Sequence, residues 1–293
     1  MFAKACKLAQ GFTFPVVYSA RFWDGSVECS LGAFVPVNAD GWVLSTAHLW
    51  KGSSAFAKHK AERADQERQA RLIEQDNTLT VKQKRKHLAR LQPNPKWITN
   101  QSWWWALDGL RLAEVKPLDD ADLVVARLEP FKPDFVQEYP IFKDPSQNMD
   151  PGTSLCKLGF PFHSIQATYD EAKGTFLLQE GAIPCPLFPL EGIYTRDAFA
   201  GKSGDGKYDL LFLETSSPGL RGQSGGPIFD TKGTVWALQC STQSLPLGFN
   251  PKIKLGSREV EEHQFMNVGL GIHSQVITSF LRDLGISFQM SDY

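Results

Sequence analysis

The stretch Gly222-Gln223-Ser224-Gly225-Gly226-Pro227 constrains this chain more than any other, because it sets a serine among glycines immediately before an apolar pair, Ile228-Phe229. Glycine enters backbone regions closed to other residues, so such a loop can turn successive N–H groups toward one point. A serine hydroxyl is a poor nucleophile at neutral pH. It needs exposure, a neighbouring base and amide donors for the oxyanion that forms when it attacks a carbonyl. The stretch reads as a nucleophile loop.

Gly-x-Ser-x-Gly also fits the nucleophile elbow of α/β-hydrolases, so the rest of the chain has to decide. Ser45-Thr46-Ala47-His48 follows the apolar run Trp42-Val43-Leu44 and puts a histidine at a strand end. Asp122 opens Leu123-Val124-Val125-Ala126-Arg127-Leu128, a β-branched run with a carboxylate at its entrance. Asp119 and Asp120 compete for the acid's role, and Asp122 is preferred because the apolar run starts directly after it. The resulting order is histidine, aspartate, serine. An α/β-hydrolase runs serine, acid, histidine, and needs strand–helix alternation after the serine, which this sequence lacks.

With Ser45-Thr46-Ala47-His48, Asp122 to Leu128 and Gly222 to Pro227 taken together, the chain resembles the trypsin-like serine protease family. Leu158-Gly159-Phe160-Pro161 and Val268-Gly269-Leu270-Gly271-Ile272 are closer to its bacterial HtrA-type branch. The resemblance covers roughly 12–50 and 100–282. It implies an all-β fold of two six-stranded antiparallel β-barrels, with His48, Asp122 and Ser224 as catalytic triad and the amides of Gly222 and Ser224 as oxyanion hole. It also places the floor of the P1 pocket near Pro218, with walls from Gln239, Cys240, Ser241, Gly269 and Gly271. Gln239, Cys240 and Ser241 are expected to offer backbone to an extended substrate, and Gly269 and Gly271 to leave room for an apolar side chain. No carboxylate stands near Pro218 to pair with a substrate Arg or Lys, so an uncharged P1 residue is expected. His273 invites comparison with the Gly-x-His strand that reads glutamine in some viral relatives, but a polar residue at a strand exit explains it better.

The chain has 293 residues, 42% hydrophobic and 12% aromatic, enough for two small barrels. Its net charge of −1 gives no general attraction to nucleic acid or anionic membranes. Five cysteines, an odd number without metal-like spacing, suit reduced thiols better than a disulfide framework. Lysines interrupt the first ten residues where a secretory signal would be apolar, and no segment has the length of a membrane-spanning helix. A cytoplasmic protein acting on protein or peptide substrates is the expectation, without metal or cofactor, and with a stress or defence role of the kind such bacterial proteases serve.

The organisation divides into a first barrel over 1–130, a connector over 131–151 and a second barrel with a closing helix over 152–293. Trp103-Trp104-Trp105, a turn at Asp108-Gly109 and the run from Leu110 to Val115 read as a hairpin. The Trp run itself is expected to pack the barrel and the base of an insertion. That insertion, 54–92, is rich in Ala, Glu, Gln, Lys and Arg and has no Gly or Pro, which predicts helices at about 54–75 and 80–91. Over 58–92 ten basic residues face five acidic ones, a local net of +5. An arm leaving the chain directly after His48 emerges beside the cleft, where it suits docking of an acidic protein partner. Nucleic acid is disfavoured, since no aromatics interleave its basic cluster. The alternative function is a catalytically idle, protease-like module that binds partners through this arm.

Overall fold

The computed structural model describes residues 1–107, 109–256 and 258–293. After a short helix α1 (Ala3–Gln10), the first half is built from β1 (Phe14–Phe22), β2 (Val27–Pro36), β3 (Trp42–Thr46), β4 (Ile98–Trp104), β5 (Arg111–Leu118) and β6 (Leu123–Glu129). They form one antiparallel sheet in the order β4-β1-β2-β3-β6-β5, curled into a barrel whose outer strands are not paired with one another among the described residues. The expected hairpin is therefore corrected. β4 pairs with β1, far earlier in the chain, and β5 pairs with β6, the strand that follows it, so β4 and β5 stand on opposite edges of the sheet. The turn proposed at Asp108 lies outside the described residues.

The continuous apolar run of β6 follows from burial on both faces. Val124, Ala126 and Leu128 join Phe34 and Val43 inside the first barrel, while Leu123 and Val125 join Val35 and Leu44 in the core shared with the second half. The tryptophans pack as expected. Trp103 stacks on Trp105 at 5.4 Å and lies 4.8 Å from Trp50, which abuts the helical insertion.

That insertion is helix α2 (Lys51–Gln75) followed by α3 (Val81–Leu88), the latter opened by a Thr80/Gln83 capping box. Neither helix contains a buried residue. The root of α2 is tied to the barrel where His59 Nδ1 accepts from the Ile98 N–H (3.0 Å) and Glu62 Oε2 accepts from Trp97 Nε1 (2.7 Å). Beyond it α3 is held to α2 where Lys84 Nζ donates to the Glu74 carbonyl at 2.6 Å, and the segment after α3 where Gln66 Nε2 donates to the Leu91 carbonyl at 2.9 Å.

In the second half, β7 (Ile141–Phe142) precedes β8 (Ser154–Lys157), the hairpin β9 (Ala167–Asp170) and β10 (Thr175–Leu178), and β11 (Leu190–Lys202), β12 (Asp209–Thr215), β13 (Pro227–Phe229) and β14 (Val235–Pro246). A second hairpin, β15 (Lys252–Leu255) and β16 (Arg258–Glu261), leads to β17 (Phe265–His273), helix α4 (Ser274–Asp283) and β18 (Gln289–Met290). Six strands, β13-β8-β11-β12-β17-β14, close into a ring because β13 pairs with both β8 and β14. β7 and β18 add in parallel to its edge, so part of the 131–151 connector is stitched into the second sheet. His273 ends β17 as the N-cap of α4, its Nδ1 accepting from the Gln275 N–H. This is the structural role expected of a strand-exit histidine.

Candidate active site

The cleft between the two halves is where the three motifs meet, and pairing of β3 with β6 explains how. Thr46 lies opposite Leu123, so the residues just beyond the end of β3 stand beside those just before the start of β6. His48 sits in a single turn of 3-10 helix and Asp122 follows another, at φ +53°, a left-handed conformation that aspartate tolerates better than most residues. The Asp122 carboxylate grips the histidine twice. Oδ1 accepts from the His48 backbone N–H at 2.8 Å and Oδ2 lies 2.7 Å from its Nδ1. Asp120, by contrast, accepts from the Gly204 N–H, and the Asp119 carbonyl accepts from the Asp122 N–H.

Ser224 reaches the cleft from the other half. Its carbonyl accepts from Ala33 N–H at 2.7 Å, while the Gly225 N–H donates to the Gln239 carbonyl at 2.8 Å, so the loop is fastened to both barrels. Gly222 and Gly225 have φ of +96° and +83°, and a Cβ on either would stand 2.4 Å from the Phe160 carbonyl oxygen or 2.2 Å from that of Ala33. Only glycine fits there. The Phe160 N–H donates to the Gly222 carbonyl, so Leu158-Gly159-Phe160-Pro161 braces the Gly222–Pro227 loop. Among the described residues the N–H groups of Gly222 and Ser224 donate to no protein acceptor. An open groove of about 850 Å³ runs past the site, lined by His48, Leu49, Gly222, Ser224, Cys29 and Phe162.

A smaller cavity of about 170 Å³ adjoins Ser224 between Gly219-Leu220-Arg221 and the β14 residues Gln239 to Thr242. The residues expected around it are present, but several do not play the expected part. Gln239 has no free backbone for a substrate, since its N–H donates to Gly226 and its carbonyl accepts from Gly225. The room anticipated at Gly269 and Gly271 is already filled. A Cβ at Gly269 would stand 2.4 Å from Lys157 Nζ, and one at Gly271 would stand 2.5 Å from Ile228 Cδ1. Pro218 contributes a carbonyl, which accepts from Lys157 Nζ at 3.0 Å, and Ser217 accepts from the same ammonium. Cys240 is buried close to Asp122, and burial pushes its thiol up to about 12, the Asp122 charge adding to the effect. Ser241 is exposed and its carbonyl accepts from the Gln239 side chain.

Lys157 and the side chain of Gln239 were not anticipated. Lys157 is 1% exposed, and burial lowers its ammonium from the ordinary 10.5 to about 7. A signal existed for both, since each interrupts an otherwise apolar strand: Leu155-Cys156-Lys157-Leu158 and Val235-Trp236-Ala237-Leu238-Gln239.

Among the described residues no three His, Cys, Asp or Glu side chains cluster as metal ligands would, and no helix is long and apolar enough to cross a membrane. All five cysteines are free thiols, with Cys6 and Cys156 sulfurs 3.9 Å apart.

The sequence profile of the trypsin-like peptidase domain matches residues 32–238. Among solved structures, the chain is similar to the HtrA-type protease AlgW with tripeptide, at 14% identity and a TM-score of 0.49, covering 97% of this chain and 63% of that one. It is also similar to the Rv3671c protease from M. tuberculosis in its active form, at 11% identity and a TM-score of 0.48, covering 98% of this chain and 86% of that one. This chain thus spans under two thirds of the AlgW chain. No curated protein sequence matches it.

Proposed function

The chain belongs to the trypsin-like peptidase domain family, and from that premise we propose that it is a serine endopeptidase working through His48, Asp122 and Ser224. The observation that carries this reading is the two-point grip of Asp122 on His48, which fixes Nδ1 as the protonated nitrogen and turns Nε2 toward the cleft that Ser224 shares.

Ser224 Oγ attacks the carbonyl carbon of the scissile bond while its proton passes to His48 Nε2. The carbonyl electron pair becomes an oxyanion held by the N–H groups of Gly222 and Ser224, each worth about 3–4 kcal/mol in sites of this kind. As the intermediate collapses, the C–N bond breaks, His48 Nε2 gives its proton to the departing amine, and an ester of Ser224 remains. Water then attacks the ester, losing a proton to His48, and the acid product leaves as that proton returns to Ser224 Oγ. Asp122 stays ionised throughout and stabilises the imidazolium. No hydrogen bond joins Ser224 Oγ to His48 among the described residues, and such contacts tighten when substrate fills the cleft.

The free thiols support action in a reducing compartment, the cytoplasm. The basic helical pair, which leaves the barrel beside His48 and contains no buried residue, supports targeting by an acidic protein partner docked on 54–92. The test of the activity is hydrolysis of an unfolded protein by the wild type and by Ser224→Ala and His48→Ala, each verified as folded. Loss of hydrolysis in both variants is expected; a variant cleaving at the wild-type rate rules out the triad, and a folded wild type that cleaves nothing favours the idle, partner-binding reading.

A further inference from the structure

A cavity beside Ser224 lies between the Gly219–Arg221 segment and β14, and its floor is closed by a side chain of this chain's own. Gln239, 2% exposed, extends across from β14. Its Nε2 donates to the Ser241 carbonyl at 2.7 Å and to the Leu270 carbonyl at 3.0 Å, which uses both amide hydrogens and locks the carboxamide. On the opposite wall the same nitrogen lies 2.1 Å from where a Cβ of Gly219 would stand, so the amide is pressed against the Gly219 backbone. Thr242 Oγ1 crosses the same gap to donate to the Gly219 carbonyl at 2.7 Å, fastening the walls together. Below, Lys157 fills the space next to Gly269.

We infer that Gln239, with Thr242 as its strut, is the specificity-determining residue of the P1 pocket and restricts cleavage to peptide bonds after small, uncharged residues such as Gly, Ala and Ser. The inference rests on the protease reading above and narrows its substrate class. A ring or a long aliphatic chain has to displace a carboxamide pressed against the Gly219 backbone and break its hydrogen bonds to the Ser241 and Leu270 carbonyls. An acidic P1 gains nothing from Lys157, whose ammonium is spent on Ser217 and Pro218 behind the closed floor.

The experiment compares kcat/KM for peptides identical except at P1 (Gly, Ala, Leu, Phe, Glu), using wild type, Gln239→Ala and Gln239→Met, with each preparation titrated by a fluorophosphonate. The wild type is expected to favour Ala over Phe by ~10²-fold, in the range that pocket contacts give for hydrocarbon discrimination. Gln239→Ala should narrow that ratio at least tenfold, while Gln239→Met, similar in length, keeps it. Wild-type enzyme that labels yet cleaves after Leu, Phe or Glu as well as after Ala overturns the role of Gln239 and leaves the protease reading standing, and this profile decides even if Gln239→Ala does not fold. An unchanged ratio in a folded Gln239→Ala variant also overturns it. Wild type that neither labels nor cleaves overturns the protease reading, and the inference with it.

Discussion

Replacing Lys157 with Met should remove a specific pH dependence from the stability of the second barrel. Lys157 is charged in the unfolded chain up to its ordinary 10.5, but in the folded protein burial brings it down to about 7. Between those values the unfolded state binds the extra proton, so stability rises with pH across this window. Below pH 7 the group is protonated in both states and its burial cost is fully present. The separation is worth at most about 5 kcal/mol at 1.36 kcal/mol per pH unit. The Ser217 and Pro218 carbonyls hold the ammonium and reduce that figure. Other groups titrate in the same window but are common to both proteins, so they cancel in the difference. Urea unfolding of wild type and Lys157→Met at intervals from pH 6 to pH 10 gives that difference directly. The wild type should gain several kcal/mol relative to the variant between pH 7 and pH 10. A constant difference across the range would show that Lys157 keeps an ordinary ammonium and is not sealed from water.

Asp122→Asn should lower kcat by about 10⁴-fold through loss of the histidine tautomer, whereas Asp120→Asn, whose carboxylate serves Gly204, should stay within a few-fold; the reverse pattern in peptide hydrolysis would place the acid elsewhere. Gly225→Ala puts a Cβ 2.2 Å from the Ala33 carbonyl oxygen at a positive φ, so turnover should fall by orders of magnitude with a lowered Tm, and near-normal turnover would mean that the loop is free to move. Excising 66–91 and joining the ends with a short Gly-Ser bridge leaves the rooted part of α2 in place, and the Gln66–Leu91 contact shows that the ends lie close. Cleavage of the native protein target should then fall much more than cleavage of a small peptide, and equal effects would make the arm merely structural.

The parts of the site that sequence made legible are those where chemistry demands residue types in a tight local pattern. Glycines at 222 and 225 announce a loop that side chains cannot enter, and a carboxylate heading an apolar run announces β6 and its entrance. The helical arm was legible because its composition departs so sharply from that of its β-rich surroundings. Pairing across distance was not legible. The tryptophan run looks like one arm of a local hairpin, yet its strand belongs with β1, since apolar pattern shows that a strand exists and not which neighbour completes it. The inside of the P1 pocket failed for a related reason. Gly269 and Gly271 mark close approach, but whether a substrate or Lys157 and Ile228 make that approach depends on residues far away in the chain. Helix α1 went unread because eight residues carry too little periodicity to distinguish it from an extended terminus.

Activation of Ser224 by His48 is what a covalent probe reads most directly. Intact-mass measurement after reaction with a fluorophosphonate tests it without knowledge of any substrate. One adduct per wild-type chain is expected, mapped by peptide digestion to Ser224, absent in Ser224→Ala and strongly slowed in His48→Ala. A wild-type chain that stays unmodified, or one modified equally in the His48→Ala variant, contradicts it.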